Sequence, residues 1–287
     1  MEILFKPNKY YGIRDPIVLQ DINGEPQKVD NKYIIIFNAR TEKYESNNSQ
    51  TFPLISYSKD FKFWTEPKLL FKDGKYTAVG SIIKKDNIYY IFYSANTKEG
   101  FKYAITKNLI DFEINNSFIF EQQNFKQINL MGLPFVTEVN NKYICLFEGT
   151  TKNGFRIFGA ESNNLNTWTP INQGNPIYNG INYYEVLGQA NPSLYKIEND
   201  YLIFYNGKDG SQKWHGSYLI TTDFINYKSL KNPILDCGKI KNSNRIEGLR
   251  LIKMNNDYEI IFFILPSSDS YKDGNIYKKL KVFHILQ

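Results

Sequence analysis

Three carboxylates in this sequence stand in settings suited to acid–base chemistry. Asp15 lies in Arg14-Asp15-Pro16, Glu247 lies in Arg245-Ile246-Glu247-Gly248-Leu249, and Glu148 follows the apolar run 143–147. Two carboxyl groups in one pocket can divide the work. One is kept protonated and gives a proton, while the other is ionised and activates water or attacks carbon. Arg14, Arg40 and Arg245 can pair with such groups or hold an anionic substrate. Ser81, Asn96 and Asn191 offer a hydroxyl and two amides, and Trp214-His215 adds a flat aromatic face and an imidazole. Convergent polar groups beside one aromatic platform suit a sugar. A nucleotide site would lead us to expect a glycine-rich phosphate loop, and none is present.

These residues are spread over most of the chain, so an internal repeat has to gather them. Five segments match. Asp15-Pro16-Ile17-Val18 precedes the run 33–37, Gly80-Ser81-Ile82-Ile83 precedes 89–93, and Leu133-Pro134-Phe135-Val136 precedes 143–147. Asn191-Pro192-Ser193-Leu194 precedes 201–205, and Glu247-Gly248-Leu249-Arg250 precedes 258–262. Phenylalanines fall at 37, 92, 147, 204 and 262, in steps of 55, 55, 57 and 58. Each pair reads as two strands joined by a polar hairpin such as Lys85-Asp86-Asn87 or Asn140-Asn141, with a longer hairpin at 21–31.

A second signature follows four of the pairs: Ser58-Lys59-Asp60-Phe61, Thr106-Lys107-Asn108-Leu109, Ser162-Asn163-Asn164-Leu165 and Thr221-Thr222-Asp223-Phe224. Each ends a short alternating run that reads as a third strand, and the Asp or Asn reads as a turn cap. With no helical periodicity, the pattern predicts an all-β fold, a five-bladed β-propeller with four antiparallel strands per blade. The chain 1–287 is then one domain, with blades near 12–70, 71–120, 121–175, 176–235 and 236–287. Most of the 16% aromatic content belongs to packing between blades.

Strand direction selects a functional face. If the first strand of each blade starts on one face, the second ends there. That face collects Arg14-Asp15, Gly80-Ser81, Gly132-Leu133, Ala190-Asn191 and Glu247 from first-strand starts. Second-strand ends add Asn38, Arg40, Ser94, Asn96, Glu148, Asn206 and Lys208, with Asp209, Trp214 and His215 beyond. Glu185, in the third-to-fourth connection, can also reach it.

Asp-Pro in the first repeat, Gly-Ser in the second, Xaa-Pro in the third and fourth, and the Ser-x-Asp-Phe-x-x-Trp tag at 58–64 together resemble a known group. They are similar to the five-bladed propeller glycoside hydrolases of families 43, 32, 62, 68, 117 and 130, over nearly the whole chain. The resemblance implies Asp15 as base or nucleophile, an Asp before Pro in the third blade and a Glu acid in the fourth. The sequence has Leu133 and Ala190 at those two places. Glu247 is the best replacement, since its Glu-Gly setting resembles the tag expected one blade earlier, and Glu148 is the next.

The remaining features exclude other classes. The net charge of +6 is interleaved along the chain, with no basic block for nucleic acid. Apolar runs are strand-sized and too short for a membrane helix. Cys145 and Cys237 have no metal-binding spacing, and no cofactor or metal is expected. The opening residues lack a leader pattern, which places the protein in the cytoplasm as an expectation. Three readings compete: a glycan-cleaving enzyme, a non-catalytic carbohydrate-binding propeller or accessory protein of surface-polysaccharide assembly, and a protein-interaction propeller. The third is the weakest, because irregularity sits in central polar positions and not in an apolar rim patch. The expected ligand is an oligosaccharide or sugar conjugate.

Overall fold

The computed structural model describes residues 2–5, 12–40, 50–96, 100–115, 124–240, 243–255, 257–266 and 275–279. Its strands pair antiparallel in sets. The first set holds β2 (Ile13–Val18), β4 (Lys32–Arg40), β5 (Thr51–Ser58) and β6 (Lys68–Leu69), with β3 (Lys28–Val29) folded onto β4. The second holds β7 (Ala78–Lys85), β8 (Ile88–Asn96), β9 (Gly100–Thr106) and β10 (Glu113–Ile114). The third holds β11 (Leu130–Val139), β12 (Lys142–Thr151), β13 (Gly154–Ser162) and β14 (Thr169–Pro170). The fourth holds β15 (Gly188–Ile197), β16 (Asp200–Lys208), β17 (Trp214–Thr221) and β18 (Lys228–Ser229). The last consists of β19 (Ser243–Met254), β20 (Asp257–Pro266), β21 (Asn275–Lys279) and β1 (Glu2–Phe5).

The start of the chain thus supplies the outer strand of the last set, whereas the repeat alone places that set wholly within 236–287. β1 covers the open edge of β21, an edge that would otherwise expose unpaired backbone groups. The inner strands β2, β7, β11, β15 and β19 touch one another in that order, and β19 returns to β2. This closed ring of sheets is a propeller.

Local chemistry explains the elements. Asp30-Asn31, Asp86-Asn87 and Asn140-Asn141 all take positive φ, the conformation that a two-residue hairpin of the twist-matching type requires. Asp60, Asn108, Asn164 and Asp223 each accept two backbone N–H bonds of 2.8–3.0 Å from residues two and three positions on. The tag is therefore a turn, as its composition predicts. Phe37, Phe92, Phe147, Phe204 and Phe262 are all fully buried, so the regular phenylalanine spacing marks the core. The core clusters draw side chains from neighbouring sets; Phe135 and Leu146 pack with Leu194 and Tyr195, for instance.

One irregularity repeats in every inner strand. The pairing register breaks between Arg14 and Ile17, Val79 and Ser81, Gly132 and Phe135, Ala190 and Ser193, and Glu247 and Arg250. Four of these bulges put a residue in the left-handed region: Asp15 (φ 52), Leu133 (φ 48), Asn191 (φ 51) and Gly248 (φ 65). Bulges re-aim side chains and mark functional edges. A Cβ on Gly248 would come within 3.0 Å of Asp15 Cα and Pro16 Cδ, so only glycine allows the last bulge to pack on the first.

Candidate active site

The bulges open onto a cavity of about 840 Å³ at the entrances of the inner strands. β2 contributes Arg14 and Asp15, β11 contributes Gly132 and Leu133, β15 contributes Ala190 and Asn191, and β19 contributes Arg245 and Glu247. Arg40 and Glu148 come from the ends of second strands, and Trp214 from the start of β17. The expected carboxylates Asp15, Glu148 and Glu247 therefore share one cavity. So do Leu133 and Ala190, the two places where the resemblance leads one to expect carboxylates.

Asp15 is 2% exposed; its Oδ2 forms an ion pair with Arg14 Nε at 3.2 Å and accepts from Asn38 Nδ2 at 3.2 Å. Arg245 Nη1 stands 3.6 Å from Glu247 Oε1. Glu148 differs from both. Its carboxyl sits opposite Gly132 in the β11–β12 ladder, and a Cβ at 132 would stand 2.6 Å from Glu148 Oε1. Its Oε2 accepts the Asn191 N–H at 3.1 Å. Burial pushes this carboxyl up to about 7, and the nearby charges of Asp15 and Glu247 push the same way. The Asn191 N–H and Arg14 oppose the shift and are outweighed. A carboxyl group poised near 7 keeps a proton to give while an aqueous one would have lost it.

Glu148 also occupies a position that the repeat uses for structure. In the first set Asn38 Oδ1 accepts from the Val79 N–H at 2.9 Å, and in the second Ser94 Oγ accepts from the Leu133 N–H at 3.3 Å. In the fourth Asn206 Oδ1 accepts from the Gly248 N–H at 3.0 Å. Each ties the end of a second strand to the bulge of the next inner strand. Glu148 makes the same tie to Asn191, but with a titratable group.

Other expected site residues lie elsewhere or in altered roles. Trp214 is 3% exposed and not an open platform. It packs edge-on against Phe155 at 5.4 Å, although both line the cavity. His215 is off the cavity wall, because neighbouring strand residues face opposite ways. Its Nε2 meets Asp209 Oδ2 at 3.1 Å, and its Nδ1 meets the Cys237 N–H at 3.2 Å. Ser81 is likewise off the wall, its hydroxyl donating to the Pro134 carbonyl at 2.9 Å and accepting from the Val136 N–H at 2.8 Å. Glu185, in the third-to-fourth connection, is buried and accepts from the Tyr205 and Tyr178 hydroxyls at 2.6 and 2.9 Å. The side chain of Asn96 lies outside the described residues.

The cavity also includes Thr51, Lys75, Tyr76 and Phe155, which the sequence reading did not single out. A structural rule connects them. Thr51, Phe155 and Trp214 begin third strands and bridge in parallel to Tyr76, Gly188 and Arg245 of the next set. Burial raises the Tyr76 phenol above its usual value, with Asp15 and Glu148 adding to the shift and Arg14 and Arg40 opposing it, so it remains a donor at neutral pH. Among the described residues no group of three His, Cys, Asp or Glu side chains is arranged to hold a metal ion. Among the same residues no helix is long and apolar enough to cross a membrane.

No protein-family model matches the chain, and no curated protein sequence matches it. Solved structures do. A complex of BT0996 with RGII superposes with a TM-score of 0.77 at 14% identity, covering 98% of this protein and 91% of that one. The catalytic domain of the Coprinopsis cinerea GH62 α-L-arabinofuranosidase gives 0.72 at 13% identity, covering 98% and 95%. A member of the GH130 family of mannoside phosphorylases and hydrolases gives 0.68 at 13% identity, covering 93% and 84%. At these identities the likeness is one of fold: this protein has the propeller fold of those glycoside hydrolases.

Proposed function

We propose that this protein is a single-domain, five-bladed propeller that cleaves a glycosidic bond in its central cavity. Glu148 is the general acid, Asp15 the base or nucleophile, and Glu247 the third carboxylate of the set. The observation that carries the reading is the buried Glu148 carboxyl, held near 7 within a wall that also bears Asp15 and Glu247. Oε2 is engaged by the Asn191 N–H, which leaves Oε1 to carry the proton. That proton passes to the glycosidic oxygen as the carbon–oxygen bond breaks. As that bond breaks, Asp15 takes a proton from the attacking water, or attacks the anomeric carbon itself; the glycosyl ester so formed is then hydrolysed by a water that the now ionised Glu148 deprotonates. The configuration of the first-formed product distinguishes these two routes. Arg14 and Asn38 fix the Asp15 carboxyl, and Tyr76 and Asn191 offer further hydrogen bonds to the sugar.

The test is reducing-sugar release from a panel of furanosides and pyranosides. Wild-type turnover lost in Glu148→Gln and in Asp15→Asn supports the reading. Turnover unchanged in both variants overturns it. A second reading, sugar binding without cleavage in surface-polysaccharide assembly, is favoured by Leu133 and Ala190 on the cavity wall. Binding with no turnover across the panel selects it.

A further inference from the structure

One corner of the cavity, with Lys208 just behind its lining residues Trp214 and Phe155, gathers positive charge around a buried donor. Trp214 Nε1 is buried and has no hydrogen-bond partner. Lys208 Nζ stands 5.5 Å from the centre of the Trp214 ring and 5.8 Å from that of Phe155. Arg245 Cζ stands 5.6 Å from the same Trp214 ring. The two cations repel each other: burial lowers the Lys208 pKa first, and Arg245 lowers it further. Glu247 is the carboxylate that faces them, at 3.6 Å from Arg245, and it offsets one charge of the two. Elsewhere on the wall Arg40 and Lys75 add positive charge, Arg14 is offset by Asp15 at 3.2 Å, and Glu148 is only partly ionised at neutral pH. A buried indole N–H beside two mutually repelling cations is a ready receptor for an anionic oxygen.

We infer that this corner binds an acidic substituent of the saccharide, a carboxylate or a phosphate, through the Trp214 indole N–H, Lys208 and Arg245. The substrate is therefore an acidic sugar or a glycan containing one. This inference rests on reading the cavity as a saccharide site. Lys208 and Arg245 take the charge, and the indole N–H adds a directed donor.

Calorimetric titration tests this with glucuronic acid, galacturonic acid, glucose 6-phosphate and the neutral parents glucose and galactose. At least one acidic sugar is expected to bind about tenfold or more tightly than its parent, with the advantage fading as salt rises. The uronic acids and the phosphate ester separate the two sources of charge. Lys208→Met removes the advantage and Lys208→Arg keeps it, with melting temperatures checking the fold of both. If Lys208→Met does not fold, Trp214→Phe, which keeps a ring and deletes the N–H, is expected to reduce the advantage instead. Equal affinity for acidic and neutral sugars, no binding of any, or an advantage that survives in a folded Lys208→Met protein overturns the inference. The two readings fail separately. Acidic sugars bound without turnover retire cleavage and keep this subsite, while turnover confined to neutral glycosides does the reverse.

Discussion

Asn206 pairs with Ala190 at the register break of β15, and Glu148 pairs with Gly132 at that of β11, one set earlier. Both reach across to the bulge of the next inner strand and accept its N–H, at 3.0 Å from Gly248 and 3.1 Å from Asn191. Asn206 also donates through Nδ2 to the Ile246 and His215 carbonyls, so its amide has partners on both sides. Glu148 brings no such donors. It brings a second oxygen that meets the cavity above Gly132. The same position thus serves as a clamp in one set and as a clamp with a proton in another. A repeat that needs only an acceptor tolerates a carboxylic acid there, and burial then sets its titration.

The largest expected effect separates the two roles of Glu148. Glu148→Gln keeps an acceptor for the Asn191 N–H and removes the transferable proton. Turnover should fall by roughly 10²–10⁴ with little change in melting temperature, as a reducing-sugar assay and thermal denaturation would show. In the wild type, turnover should decline as pH rises through about 7, because the acid form of Glu148 is lost there.

A second test reads the same group through stability. The folded Glu148 titrates near 7 and an unfolded glutamate near its ordinary value of 4.5. Between those values the unfolded chain binds fewer protons, so wild-type stability falls as pH rises across that window. The full shift corresponds to on the order of 3 kcal/mol, an upper bound that cavity water reduces. Denaturant titrations at pH 5 and pH 8 should therefore show Glu148→Gln gaining on the wild type at the higher pH. No gain would mean that Glu148 is solvated like any surface carboxyl.

The purely structural clamp gives a smaller effect. Asn206→Leu leaves the Gly248 N–H and Ile246 carbonyl without their partner and should cost about 1–3 kcal/mol at either pH. Ser94→Ala removes one longer bond, to the Leu133 N–H, and should cost about 1 kcal/mol. Urea unfolding measures both. A pH-dependent loss in Asn206→Leu would break the comparison with Glu148.

The strands, hairpins and tag turns were legible because each is written several times. Five chances to see a buried phenylalanine or a capped turn make the pattern stand out. The cavity was legible to the extent that strand direction alone decides which ends meet, hence Asp15, Glu148, Asn191 and Glu247. What strand direction cannot give is where a side chain points past a bulge, since one extra residue swaps the two faces of the strand. Ser81, just beyond the second bulge, is turned toward Pro134 for that reason. His215 was a different failure: alternation along a strand already forbids it from sharing a wall with Trp214. Tyr76 and Phe155 carry no repeated motif. Their signal is positional, since they lie at the parallel bridges where one set hands over to the next.

The pairing of β1 with β21 sets an order of events during synthesis. β1 finds its place only after its partner Asn275–Lys279 has been made, because all the other described strands lie between the two in sequence. Domains generally fold from the N-terminus as they emerge, yet here the ring cannot be sealed until the last set has been made. Until then the apolar edge of β2 that faces β19 has no neighbour, and Gly248 has not yet arrived beside Asp15. Without the last set, the cavity would stand open along the wall that β19 supplies. The cavity wall is complete only once β19 has brought in Arg245 and Glu247.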